Sequence, residues 1–282
     1  MNNTLHFTDE QFQVQHSDKC DLLLHLGSNS IAYSIIDQNN QLVILRNHPR
    51  KNDEHISAIN NLDNIRESSD YLQLNFRKIK ISLETPEFTF IPQELYSEDL
   101  LNDYLQFIKP ASGSEAKASA IEKAGLINLT AIDSELTKEL KQRFHNPLIV
   151  SSIDPYIEST SQIAKESNSS ILFLNFQKSA FEAAHYKEGN FIFYNRFEFT
   201  TEDEFNYFLL NIIEQLNLDV QHTNIQLTGD IDFNNQLTER ISKYFHEISL
   251  GEVPHILKES WSLATNEGLH TYFSLLSLSL CE

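Results

Sequence analysis

The apolar positions come in short runs rather than long stripes. Leu22–Leu26 leads into Gly27-Ser28-Asn29, and Ile31–Ile36 follows. After the turn cluster Asp37-Gln38-Asn39-Asn40 a third run covers Leu42–Leu45. Runs of this length separated by turn residues predict three consecutive strands in a meander. The shape returns in Ile171–Phe176, Phe181–Tyr186 and Phe191–Tyr194, divided by Gln177-Lys178-Ser179 and by residues 187–190. Laid together without a gap, the two stretches stand a constant 150 residues apart (25 to 175). His25 then falls on Asn175, Asn39-Asn40 on Gly189-Asn190, and Arg46 on Arg196. The alternative to a duplication is two unrelated hairpins in a mixed α/β protein.

The segments downstream of each meander point the same way. Arg77–Leu83 alternates polar Lys78, Lys80 and Ser82 with Ile79, Ile81 and Leu83, the pattern of a half-buried strand. Phe88–Ile91, closed by Pro92, predicts another strand. A helix is expected from Ser97, with Leu100, Leu101, Tyr104, Leu105 and Ile108 on one face. After the second meander, Thr201-x-x-Glu204 is a capping box. It opens a helix with Phe205, Phe208, Leu209, Ile212, Ile213 and Leu216 as its apolar stripe. A strand over Asn224–Thr228 ends in Gly229, and a helix over 234–245 comes next. Between the halves, Ser112–Lys123 reads as a surface helix or a loose connection, Ser134–Phe144 as a helix and Leu148–Ser151 as a strand. Asp154-Pro155 opens a further helix. Asn168-Ser169-Ser170 is the clearest linker. It divides the chain into 1–167 and 168–282 and leaves open a return of the C-terminal helix to the first part.

Composition narrows the chemistry. Of 282 residues, 21 are Lys or Arg and 40 are Asp or Glu, a net charge of −19 that repels phosphate backbones and disfavours nucleic acid as a partner. Cys20 and Cys281 make neither a zinc spacing nor a disulfide framework, consistent with a reducing cytosol. Residues 1–15 lack the basic and apolar regions of a secretory signal. No run approaches the roughly 18 apolar residues of a membrane span, so a cytoplasmic location is expected. The eleven histidines show no H-x-x-x-H or H-E-x-x-H spacing, and no metal site is expected.

The stretches DLLLHLGSNSIAYSIID and EFTFIPQELY, with the terminal CE, resemble an uncharacterised bacterial family. It is a domain of unknown function with an actin-like ATPase (ribonuclease H-like) fold, and the resemblance covers essentially the whole chain. It implies an α/β protein in which that fold is duplicated, as two lobes each with a mixed five-stranded sheet flanked by helices, and it implies no activity. In ATP-hydrolysing members of the superfamily, each of two phosphate loops begins with an Asp followed by Gly and Ser or Thr. A later strand ends in paired glycines against the adenosine. The acids hold magnesium and orient water, while glycine amides cradle phosphate.

Mapped onto this chain, the first loop is His25-Leu26-Gly27-Ser28-Asn29-Ser30 and the second Asn175-Phe176-Gln177-Lys178-Ser179. The third is Leu227-Thr228-Gly229-Asp230. The resemblance thus marks His25, Gly27, Ser28, Asn29, Ser30, Asn175, Gln177, Lys178, Ser179, Thr228 and Gly229 as a degenerate nucleotide cleft without catalytic residues. His25 and Asn175 replace both metal-binding acids and are poor ligands for a hard cation. Phe176 and Gln177 are expected to crowd a phosphate, and Lys178 supplies only a counter-charge. ATP and magnesium are therefore not expected as cofactors. A non-catalytic cytosolic binding or scaffold protein with an unidentified protein partner is expected. The alternative is a divergent ATP-binding protein or an ATPase/kinase-like phosphotransferase. Two stretches read either as core or as partner surfaces: the aromatic group Phe191, Phe193, Tyr194, Phe197 and Phe199, and the strand-to-helix stretch Phe88, Phe90, Pro92 and Tyr96.

Overall fold

The computed structural model describes residues 6–10, 12–50, 58–69, 71–108, 110, 112–167, 169–252, 254, 257 and 268–281. Asn168 of the expected linker, His55, His255 and the terminal Glu282 lie outside the described residues.

In chain order the elements of the first half are β1 (Phe7–Thr8), β2 (Asp21–Leu26), β3 (Ser30–Ile36), β4 (Leu42–Pro49), α1 (Ala58–Ser68), β5 (Lys78–Leu83), β6 (Phe88–Pro92), α2 (Leu101–Leu105), β7 (Ser114–Ile121), β8 (Leu126–Asp133), α3 (Ser134–Arg143) and β9 (Leu148–Ser151). Then come α4 (Ile153–Ser167), β10 (Ser170–Gln177), β11 (Ala180–Lys187), β12 (Asn190–Glu198), α5 (Glu202–Gln215), β13 (Thr223–Gly229), α6 (Gln236–Ile241), β14 (Ile248–Leu250) and α7 (Phe273–Ser277).

Among the described residues three sheets form, and two of them share one plan. The first runs β1-β4-β3-β2-β5-β9 and the second β12-β11-β10-β13-β14. In each, an antiparallel meander is followed by two strands parallel to its first member. The first sheet departs from the expected five strands because Phe7–Thr8 pairs along the outer edge of β4 and makes a sixth. Registers agree as well. His25 faces Ala32 and Asn175 faces Glu182, the same pairing at the 150-residue offset. The third strands differ by one residue, since Tyr33 faces Arg46 but Ala183 faces Asn195. By pairing, Arg46 therefore corresponds to Asn195 and not to Arg196. The turns explain the slip. The first is closed by Asp37 N–H donating to Gln41 O at 2.9 Å, with Asn40 at φ 59°. The second is a two-residue turn with Glu188 and Gly189 both at positive φ (51° and 76°), a conformation that fits the strand twist with one residue fewer.

The third sheet, β6-β8-β7, was only partly legible. Ser114–Ile121 is a strand, not a surface helix or a loose connection. Its alanines alternate with Glu115, Lys117 and Ser119, and Ala116 and Ala118 pack against Ile127 and Leu129. Cross-strand packing outweighs the helix propensity of alanine. The helix expected from Ser97 begins at Leu101, after a 3₁₀ turn over Glu98–Leu100, and Leu100 stays exposed. Leu101, Tyr104, Leu105 and Ile108 do pack on this sheet. The last expected helix is shorter, Gln236–Ile241, capped by the Asn235 side chain.

The two main sheets are covered on both faces. Leu22, Leu24 and Ile81 pack with Leu62 of α1 and Leu140 of α3. On the other face Lys80 and Ser82 are buried, against the expected half-exposed alternation, and Lys80 Nζ donates to Ser279 O at 3.1 Å. In the second sheet, Leu172, Leu174 and Phe181 pack under Phe205, Leu209 and Ile212 of α5. Opposite them, Tyr186 Oη hydrogen-bonds Thr160 Oγ1 of α4 at 2.8 Å. By internal contacts the chain forms two compact units. One comprises 1–156, 254–268 and 274–282, and the other comprises 157–253 and 269–273. The division falls inside α4, and the last nine residues group with the first unit.

Candidate functional site

In the first unit, β2 and β3 are joined by a tight hairpin. Gly27 N–H donates to Ser30 O at 3.0 Å, leaving Ser28-Asn29 as the turn. His25 lies at the end of β2, and its Nδ1 hydrogen-bonds Ser82 Oγ at 2.9 Å on the facing position of β5. Burial pushes the imidazole below its ordinary pKa, with the Glu84 carboxylate pulling the other way. The ring is therefore neutral near pH 7. A Cβ on Gly27 would stand 3.0 Å from His25 Nε2, so the glycine makes room for the ring. The Ser28 amide, one of those that would face an anion here, donates to Glu84 Oε2 at 2.5 Å. Arg50 Nη1 donates to Gly27 O at 2.9 Å. The turn thus carries its own carboxylate and its own cation.

In the second unit the hairpin is the same, with Gln177 facing Ala180 and Lys178-Ser179 as the turn. Asn175 is buried, with both ends of its carboxamide hydrogen-bonded. Its Oδ1 accepts from Thr228 Oγ1 at 3.0 Å, and its Nδ2 donates to Glu182 Oε2 at 2.7 Å. Tyr194 Oη donates to the other oxygen of Glu182 at 2.9 Å. Thr228 faces Asn175 across parallel strands, as Ser82 faces His25. At both positions where the resemblance looks for a metal-binding acid, a neutral side chain is tied to a hydroxyl on the adjacent parallel strand, β5 in one sheet and β13 in the other. Gly229, at φ +82°, touches the same network. A Cβ there would overlap Phe176 O and lie 2.8 Å from Asn175 Oδ1.

The structure therefore brings Asn175, Thr228 and Gly229 together in one cluster and His25, Gly27 and Ser28 in another. Gln177 is partly buried, with Oε1 enclosed and unpaired. Phe176, expected to crowd a phosphate, instead points into the core, with its ring centroid 5.5 Å from that of Phe205. The aromatic group of β12 divides between faces. Phe193, Phe197 and Phe199 pack beneath α5, while Tyr194 reaches Glu182 and Phe191 meets Tyr186. Phe88 and Phe90 are half-buried and in contact with each other, and Tyr96 stacks on Tyr104.

Sequence reasoning missed Glu84 and Glu182. Glu182 carries a signal, a lone acid inside an apolar run. Glu84 carries none, because its role depends on where β5 ends beside β2. A third missed cluster lies in the first unit. Asp154, at the start of α4, accepts from Ser119 Oγ at 2.7 Å and Asn128 Nδ2 at 2.5 Å. Burial pushes its carboxyl up to about 6, although these donors and Lys117 act against the shift. Among the described residues no three His, Cys, Asp or Glu side chains gather as metal ligands, and no helix is long and apolar enough to cross a membrane.

Solved structures share this architecture. A Bacteroides thetaiotaomicron protein with actin-like ATPase fold and unknown function matches with TM-score 0.79 at 20% identity, over 96% of this chain and all of that one. A chain of the PilM-PilN type IV pilus biogenesis complex matches with TM-score 0.67 at 10% identity, over 92% of this chain and 97% of that one. At these identities the likeness establishes the fold, a duplicated actin-like, ribonuclease H-like α/β architecture. No curated protein matches in sequence. The model of a family described as a protein of unknown function (DUF3822) matches residues 9–248, most of the chain, and the chain belongs to that family.

Proposed function

We propose that this chain is a non-catalytic binding or scaffold protein of the cytosol, an actin-like fold whose phosphate loops are satisfied from within. The observation that carries the reading is the hydrogen bond from the Ser28 amide to Glu84. A carboxylate held on the loop repels a phosphate and already accepts from the donor a phosphate would need. The buried network of Asn175, Glu182, Thr228 and Tyr194 adds to it, because hydrogen bonds at both ends of the Asn175 carboxamide fix its orientation within the sheet, and its oxygen is a neutral ligand where a carboxylate is expected. The fold itself is neutral on the matter, since one architecture serves many functions. One structural neighbour comes from a pilus-assembly complex.

The test is thermal unfolding with millimolar ATP and magnesium, alongside a phosphate-release assay. A ligand at 100 times its Kd adds about 2.7 kcal/mol, so an unchanged melting curve and no phosphate release are expected. A magnesium-dependent stabilisation or steady turnover would overturn the reading in favour of a divergent ATPase or phosphotransferase. Glu84→Ala, which frees the Ser28 amide, is expected to gain affinity for inorganic phosphate over the parent chain.

A further inference from the structure

Among the described residues the second sheet has an edge strand with no further strand beside it. β12 is its outer strand, paired with β11 on one side and, among the described residues, with nothing on the other. The corresponding edge of the first sheet is covered. Phe7 and Thr8 pair with Leu45 and Ile44 of β4, and Arg46 Nη1 donates to Phe7 O at 2.5 Å. A nine-residue edge on which no described strand pairs offers backbone donors and acceptors to an extended segment.

At the C-terminal end of that strand lies a groove of about 710 Å³, walled by Phe199, Tyr207 and Phe208 and rimmed by Glu198, Asp203 and Glu204. Tyr207 is 63% exposed, and Ile192 on the strand is 49% exposed. Glu198 and Asp203 pair with Arg196 at 2.7 Å and Arg240 at 2.8 Å, yet their side chains are 77% and 88% exposed. The arginine side chains are only 18% and 25% exposed, so each pair is open to water on its carboxylate side alone, and that side can still meet another cation. Aromatic faces beside accessible carboxylates favour Lys or Arg. A second copy of the chain is a poor occupant, because it would bring another −19 charges to an acidic rim.

We propose that the β12 edge and its terminal groove bind an extended basic segment of a partner protein. The segment adds a strand to β12 and places a Lys or Arg side chain against Tyr207, between Glu198 and Asp203. This rests on the reading of the chain as a binding protein and names the chemistry of its partner.

The experiment is calorimetric titration of the full chain with a peptide of about ten residues alternating Lys and Val, and with its counterpart carrying Glu for Lys. Hydrogen exchange is followed on the same samples. The basic peptide alone is expected to bind, and exchange of the β12 amides is expected to slow. Affinity is expected to fall at least about tenfold in Tyr207→Ala and in the double variant Glu198→Lys/Asp203→Lys. The control Glu115→Lys/Glu122→Lys makes the same charge change at exposed positions of the first unit and is expected to cost less than about threefold. Equal losses in the two double variants would mean diffuse attraction to an acidic protein and would overturn the proposal, as would protection away from β12 or no binding. Nucleotide binding measured in parallel separates the two readings. A chain that takes neither ATP nor the peptide loses this inference alone, whereas one that turns over ATP loses the earlier reading.

Discussion

Gly229 shows how one residue can be dictated by the fold around it. Its φ of +82° and the backbone of Phe176 leave no volume for a methyl group. Gly229→Ala combines a left-handed backbone penalty with overpacking and is expected to cost about 3 kcal/mol in urea unfolding. A loss below about 1 kcal/mol would mean that the strand end relaxes freely. Asp154 makes a second residue-level case. Its carboxyl, raised from 3.8 to about 6 by burial, favours the fold when protonated. That contribution is complete below pH 3.8 and is lost as pH rises through about 6. Asp154→Asn stays neutral throughout, so its stability relative to the parent chain is expected to improve by up to about 3 kcal/mol between pH 4 and pH 7. Parallel pH curves for the two proteins would contradict this. Neither residue's role could be read from its neighbours in sequence. Gly229 was legible as a strand end, but what it touches depends on β10 lying alongside.

Among elements, α5 is the one whose beginning is written most plainly in the chain. Glu204 N–H donates to Thr201 Oγ1 at 3.2 Å, and the Glu204 carboxylate accepts from the Thr201 amide at 3.2 Å, as the capping-box spacing predicts. Thr201→Ala is expected to destabilise the protein by about 1 kcal/mol, read as a lower urea midpoint at unchanged slope. The meander strands were equally legible, because apolar runs broken by turn residues carry their own punctuation. β7 was not. Its alanines suit helix and strand alike, and the choice is made by β8, which pairs with it from Ser114 to Ile121. The depth of β5 was hidden for a related reason. Lys80 is a surface residue by type, but in the fold its ammonium reaches the carbonyl of Ser279, almost 200 residues further on.

For the whole molecule the dominant number is the net charge of −19. Self-repulsion of that size opposes compaction and is screened over a Debye length of about 10 Å at 0.1 M salt. The melting temperature is expected to rise by about 3 °C between 10 and 300 mM NaCl by calorimetry. A falling Tm would mean that specific ion pairs such as Arg143–Asp63 outweigh the repulsion. Sequence alone determined the repeated meander, the α/β class, the Thr201–Glu204 capping box and, through the family resemblance, the absence of acids at positions 25 and 175. Each of these is a property of local pattern or residue type. Tertiary structure alone decided what those positions do instead: which hydroxyl each neutral side chain meets, that Glu84 closes on the Ser28 amide, and that β4 is paired by β1 where β12, among the described residues, has no such neighbour. These are pairings between segments tens of residues apart, chosen by strand order and register, and no window along the chain contains both partners.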